Sequence, residues 1–206
     1  MAITVVDHPL TTHFISILRD QNTRSELFRE TTRRLAYTLL MEATSGMVLE
    51  EYDLTTPLEP TVGKRIARKV VAVAVLRAGL GLLDAVVDLL PDVKVGFAGV
   101  QRDEETALPQ EYYTKFPDLG HCKALVLEPM LATGGSLSWA VGRLKEAGAS
   151  AITAICVVAA PEGVARMEVD HPDVNIVAAG LDTHLNDRFY IVPGLGDMGD
   201  RLFGTL

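Results

Sequence analysis

The chain has 206 residues, 48% of them apolar and 22% charged, with a formal net charge of −8. So large an apolar share excludes an unfolded chain, and the acidic balance excludes nucleic-acid binding by bulk charge, leaving only a local basic patch open. A small anionic substrate would have to be met by a locally positive pocket inside an acidic protein.

In chain order, Leu10, Phe14, Ile17 and Leu18 share one helical face, and Thr23-x-x-Glu26 resembles a capping box opening a second helix through about Ala43. Met47 to Leu54 has strand character, and Pro57, Pro60 and Gly63 mark a loop. Val70 to Leu76 is a continuous apolar run broken by Arg77-Ala-Gly-Leu-Gly81; Leu82 to Leu90 reads as a helix stopped at Pro91. Val93 to Val100 is the next strand, and the polar stretch from Gln101 to Lys115 is a long excursion or hairpin. Lys123 to Leu127, Ala151 to Ala159 and Val174 to Ala178 read as strands, separated by helices at Leu137 to Glu146 and Pro161 to Val169. Strands buried on both faces and alternating with helices predict an α/β fold: a central, mostly parallel sheet flanked by helices. Ligands on such sheets bind beyond the carboxyl ends of the strands.

The tail from Leu181 to Leu206 has another character. Tyr190 to Gly204 is dense in glycine, too broken for a helix and too rich in glycine for a stable strand. Bare backbone beside apolar side chains suits a flat heterocycle, whose ring N–H and C=O groups can pair with main-chain groups.

The motif Glu128-Pro-Met-Leu-Ala-Thr-Gly-Gly-Ser136 is the strongest chemical signal. A buried strand delivers one carboxylate, a small glycine-containing loop follows, and a helix begins. Exposed amides and the helix dipole suit a phosphate, and the carboxylate suits sugar hydroxyls. The same residues also suit an ordinary strand-to-helix turn. Arg77 directly after a buried strand calls for an anion, either a ligand or a structural carboxylate. Arg102, beside Asp103, Glu104 and Glu105, reads alone as a surface charge, with neighbours that could pair with it or hold a hydrated divalent cation. The five histidines show no metal-ligand spacing, and no nucleophile motif is present. Cys122 and Cys156 lie in apolar runs and read as buried thiols of a reducing compartment. Without a signal-peptide pattern or an apolar run near the roughly 20 residues a membrane span needs, a cytoplasmic, soluble protein is expected.

Three motifs together resemble the uracil phosphoribosyltransferases: Leu76-Arg-Ala-Gly-Leu-Gly81, Glu128 to Ser136, and Tyr190-Ile-Val-Pro-Gly-Leu-Gly-Asp-Met-Gly-Asp200. Weaker similarity through Asp7-His-Pro-Leu10, Arg102 to Thr106, Ala159 to Gly163 and Phe203 to Thr205 extends it over nearly the whole chain. The resemblance implies the type I phosphoribosyltransferase fold as a single domain over residues 1–206, with a core of about 60–180, a C-terminal hood over the base from 181 to 206, and a β-arm. It implies conversion of uracil and 5-phosphoribosyl 1-diphosphate (PRPP) to UMP and diphosphate.

The resemblance also assigns residues. Arg77, Arg102 and Asp197 would be catalytic. PRPP would meet Arg77, Ala78, Gly79, Arg102, Glu128, Pro129, Met130, Leu131, Ala132, Thr133, Gly134, Gly135, Ser136 and Asp197. Uracil would meet Ile191, Gly196, Asp197 and Met198, largely through main-chain groups. Mg2+ would be the cofactor, held mainly by PRPP and water, with no direct side-chain ligation. Partners would be uracil and PRPP, with neither nucleic acid nor membrane. A homodimer or larger homo-oligomer is implied, with strands at 47–54 or 104–116 as arms, and some members add a GTP effector for which no residue here can be named. Two positions depart from the family: Glu128 stands where Asp is usual, and Met198 where Ala is more common, which would tighten the pocket rim. The 101–115 excursion is the candidate lid over a water-sensitive centre.

Two other readings compete. A nucleotide-sensing RNA binder of the same fold would need a basic–aromatic surface. A relative using another base, a purine or orotate, is the second; orotate would need a cation in the base pocket, and residues 190–200 offer none before Arg201.

Overall fold

The computed structural model describes residues 3–102 and 109–205. Its elements are β1 (Ile3–Val5), α1 (Pro9–Arg19), α2 (Ser25–Thr44), β2 (Leu49–Thr55), β3 (Pro60–Ile66), β4 (Val70–Leu76), α3 (Leu80–Leu89), β5 (Lys94–Arg102), β6 (Pro109–Lys115), β7 (Lys123–Leu127), β8 (Met130–Leu131), α4 (Gly135–Glu146), β9 (Ala151–Ala159), α5 (Pro161–Asp170), β10 (Asn175–Leu181), β11 (His184–Leu185), β12 (Ile191–Val192) and α6 (Met198–Phe203).

The apolar runs pair into one sheet of order β1-β10-β9-β7-β4-β5-β6, with β8 added on β9. Every pairing is parallel except β5 with β6, as expected when helices make the crossovers. Alternation along the strands fills two cores. Val71, Val73 and Val75 face one side with α4 and α5; Val70 and Ala72, with Leu125 and Leu127 of β7, face the other with α1, α2 and α3. Each such leucine buried completely is worth roughly 1.5–3 kcal/mol, which is why continuous apolar runs settle in the middle of the sheet.

The departures from expectation are local. Residues 60–66 form a strand rather than a loop: β3 pairs antiparallel with β2 from Thr55↔Pro60 to Leu49↔Ile66. Pro60 is tolerated because it occupies the first position of a two-stranded ribbon. The second helix is not opened by Thr23. Its N-cap is Arg24, while the Thr23 hydroxyl donates to the Ile17 carbonyl at 2.7 Å. In α1 the buried positions are Thr11, Ile15 and Leu18; of the expected face Leu18 is in the core and Phe14 packs against it, while Leu10 is exposed. The tail does hold a helix, the six-residue α6, because Asp197 caps it by accepting from the Asp200 N–H at 2.8 Å. The 101–115 excursion joins β5 to β6 as a hairpin; residues 103–108, central to the expected lid, lie outside the described residues. Both cysteines are buried free thiols, and no described helix is long and apolar enough to cross a membrane.

Candidate active site

Three segments meet beyond the carboxyl ends of β4 and β7. The first follows β4. Gly79 turns the chain so tightly that a Cβ there would lie 2.4 Å from the Leu127 carbonyl oxygen and 2.6 Å from that of Val75. Arg77 projects from this turn, its side chain 54% exposed, and its Nη2 lies 3.2 Å from Asp200 Oδ1. Its Nη1 lies 3.5 Å from the Thr205 hydroxyl, and its guanidinium is 6.0 Å from the Phe203 ring centre. A half-exposed pair of this kind is weak, so Arg77 is held in place yet able to take a stronger anion. Ala78 lies beside it in the turn.

The second segment is the loop between β7 and α4. Pro129 offers its carbonyl to the N–H groups of Val157 and Val158, and Met130 and Leu131 pair with β9 as β8. Gly134 is the N-cap of α4 at φ +78°; its absent Cβ would meet the Gly163 carbonyl at 3.0 Å. Gly163 is pressed as closely, a Cβ there falling 2.4 Å from the Ala132 carbonyl oxygen. The first turn of α4 carries no acidic residue, and its basic residues sit in the last turn. The helix therefore keeps its positive end unneutralised beside the Thr133–Gly134–Gly135–Ser136 amides, the arrangement that receives phosphate.

Glu128 starts this loop, and its state was not legible beforehand. Its carboxyl is buried, with Oε2 lacking a partner. Burial pushes its pKa up to about 8 against a hydrogen bond from the Met130 backbone that lowers it. Nearby, burial raises the Cys156 thiol well above the ordinary range, with the Glu128 charge adding to the effect.

The third segment is the hood. Ile191 in β12 is buried, Gly196 and Asp197 are exposed, and the Met198 side chain is 1% exposed within the core. Met198 thus does not narrow a pocket rim as expected: the whole residue is buried in the core. Asp197 spends one carboxylate oxygen on the α6 cap, and α6 brings Asp200 to Arg77. Arg201 donates to the carbonyls of Leu195 at 2.8 Å and Asp20 at 2.6 Å, and also to that of Leu18. It lies 4.3 Å over the Phe28 ring. This cation is engaged by three carbonyls and an aromatic ring. Arg102 ends β5 opposite Pro109, and its side chain lies outside the described residues. Among the described residues no three His, Cys, Asp or Glu side chains gather in a way that could hold a metal ion.

Sequence reasoning missed Arg19 and Asp182, which brace the hood, and Phe203 and Thr205 as neighbours of Arg77. A charged residue at a helix end or following a strand gives no sign of a partner so distant in the chain.

This sheet, with a glycine loop and a free helix N-terminus at its carboxyl edge, defines the type I phosphoribosyltransferase class. A hypoxanthine phosphoribosyltransferase from Staphylococcus aureus shares the fold at a TM-score of 0.51 and 11% identity, over 76% of each chain. A solved protein of Aquifex aeolicus superposes far more closely, with a TM-score of 0.94 and 37% identity over 98% of both chains. The family model described as uracil phosphoribosyltransferase matches residues 5–205. Curated relatives of that name are 49% identical in Ligilactobacillus salivarius, over 98% of this chain and 97% of the relative, and 48% identical in Salinibacter ruber, over 98% and 97%. The chain belongs to the uracil phosphoribosyltransferase family.

Proposed function

We propose that this chain joins uracil to the phosphoribosyl group of PRPP, forming UMP and releasing diphosphate, the salvage reaction of its family. The observation that carries the reading is the meeting at one sheet edge of a phosphate-type loop, an available arginine and a base segment, residues 190–200, that carries no cation. Arg201, the next cation after that segment, already serves three carbonyls, so residues 190–201 have no spare charge to offer orotate's carboxylate, and a neutral pyrimidine fits.

In this account the 5′-phosphate rests on residues 132–136 and Glu128 faces the ribose hydroxyls. Arg77, with the main chain of Ala78 and Gly79, meets the diphosphate, with Arg102 closing from β5 and Asp197 beside it. The nitrogen of uracil that forms the glycosidic bond approaches C1 from the face opposite the diphosphate. The C1–oxygen bond breaks, positive charge develops at C1 and the ring oxygen, the electron pair leaves with the diphosphate, and the proton of the attacking ring nitrogen passes to the departing diphosphate or to water. Arg77 stabilises that departing charge. Pro129 and Ala132 stand where a loop of this kind could carry an acidic general base, so catalysis comes from positioning and electrostatics. Mg2+ would be bound through the diphosphate and water, and would supply charge neutralisation on the leaving group. The β5–β6 connection would cover the centre against water. The β2–β3 hairpin, with Val48, Leu58 and Val62 at 65%, 94% and 57% exposure, supplies the apolar arm of a homodimer.

The test is chromatographic: purified protein with PRPP, Mg2+ and uracil, orotate or hypoxanthine in parallel. UMP should form from uracil alone. Product from either other base, with none from uracil, would refute the reading.

A further inference from the structure

We infer that the Arg19–Asp182 ion pair is a positioning device for base recognition, setting where the Gly196 main chain presents its donor and acceptor. The inference rests on the reading that residues 191–198 hold the base.

Arg19 ends α1, and Asp182 directly follows β10. Arg19 Nη2 lies 2.5 Å from Asp182 Oδ1 and its Nη1 2.8 Å from Asp182 Oδ2, a two-pronged contact onto a carboxylate only 5% exposed. The pair then takes hold of one residue by both its amide groups. The Gly194 N–H donates to Asp182 Oδ2 at 2.7 Å, and Arg19 Nη1 donates to the Gly194 carbonyl at 2.8 Å. Gly194 has φ +59°, and a Cβ there would fall 2.1 Å from the Ile191 carbonyl oxygen. The clamped residue must therefore be glycine, and the pair orients it through its main chain alone.

The next carbonyl, that of Leu195, is taken by Arg201. Beyond it Gly196 is exposed, and its N–H and C=O have no partner among the described residues. The clamp thus uses up the polar groups of Gly194, Arg201 takes the Leu195 carbonyl, and those of Gly196 are left without a partner among the described residues. A main-chain donor beside an acceptor complements the edge of uracil, where a ring N–H sits between two carbonyls. The planar guanidinium supports this in a way lysine could not, because one fork engages the carboxylate and the Gly194 carbonyl together. The anchor lies on α1, so the reading edge is referred to a packed helix rather than to its own loop.

The test is steady-state kinetics of R19K and D182N, varying uracil and PRPP separately. The uracil KM should rise about tenfold in each, while kcat and the PRPP KM stay within about twofold. A purely scaffolding pair would lower the active fraction, and so kcat, with both KM values unchanged; that result overturns the inference. Breaking a buried pair can prevent folding. R19M/D182L, which buries no lone charge, therefore goes through the same assay with the same expected rise, and an unchanged uracil KM in it also counts against the inference. G196A separates the two levels of the argument. If it leaves the uracil KM unchanged, the base-segment reading fails and the inference with it; if it raises that KM while R19K does not, only the clamp is refuted.

Discussion

The phosphate-type loop and the hood stand at one edge of the sheet but are held by opposite means. The 128–136 loop is fixed by regular structure: β7 before it, β8 paired with β9 inside it, and α4 after it. The hood is fixed by side chains reaching across the chain, Arg19 and Asp182 being 163 residues apart and Arg201 and Leu18 183 apart. A ladder-held loop can present its amides to an anion, because neighbouring strands and a helix fix its backbone from either side. A clamp-held loop uses some of its own polar groups in the clamping, and what is left over determines what it can read.

Perturbing each region sharpens the contrast. Arg77→Ala should have the largest effect, lowering kcat/KM by roughly 10²–10⁴ with the melting temperature preserved, since it removes charge from the leaving-group side rather than a buried contact. Near-normal kinetics would take Arg77 out of the mechanism. Gly79→Ala should be nearly as damaging through folding. Its Cβ would meet backbone oxygens of Leu127 and Val75 that cannot move aside, and a loss of about 3 kcal/mol or more is expected in urea unfolding. An unchanged midpoint would mean that the turn is looser than its geometry.

Glu128 gives a pH-dependent version. In the fold the carboxyl keeps its proton up to about pH 8, against an ordinary value of 4.5. Between those values the folded state binds the extra proton, so the resulting stability is full below pH 4.5 and is lost as the pH rises to about 8. Glu128→Gln cannot titrate. Relative to it the wild type should weaken on going from pH 5 to 8, by up to about 1.4 kcal/mol per pH unit. Parallel unfolding curves across that range would show that the carboxyl is not desolvated. The smallest effect belongs to the hood's only helix: Asp197→Ala removes the α6 cap and should cost about 1 kcal/mol of stability in addition to its effect on turnover.

The same division decided what could be read in advance. β4, β7 and β9 were legible because uninterrupted apolar runs have few other places to go in a parallel sheet. The glycines at 79, 134 and 135 and Arg77 marked the turns at the carboxyl edge of the sheet for the same local reason. β3 was hidden because Pro60 and Gly63 read as loop residues and its exposed ribbon shows little apolar alternation. α6 was hidden by Gly196 and Gly204 on either side, and its cap is a single aspartate. The Arg19–Asp182 clamp and the inward turn of Met198 depend on residues brought together only by the finished fold. The burial of Glu128 belongs with these, since one more methylene in the sequence does not say whether a carboxyl faces solvent or the core.

The most direct measurement is a crystal structure with UMP bound. The account requires the phosphate on the amides of residues 133–136 and the uracil ring against Gly196 and Met198, with the ring's polar edge on the Gly196 main chain. A ring lying away from residues 191–198, or a phosphate anywhere but the α4 N-terminus, would contradict it.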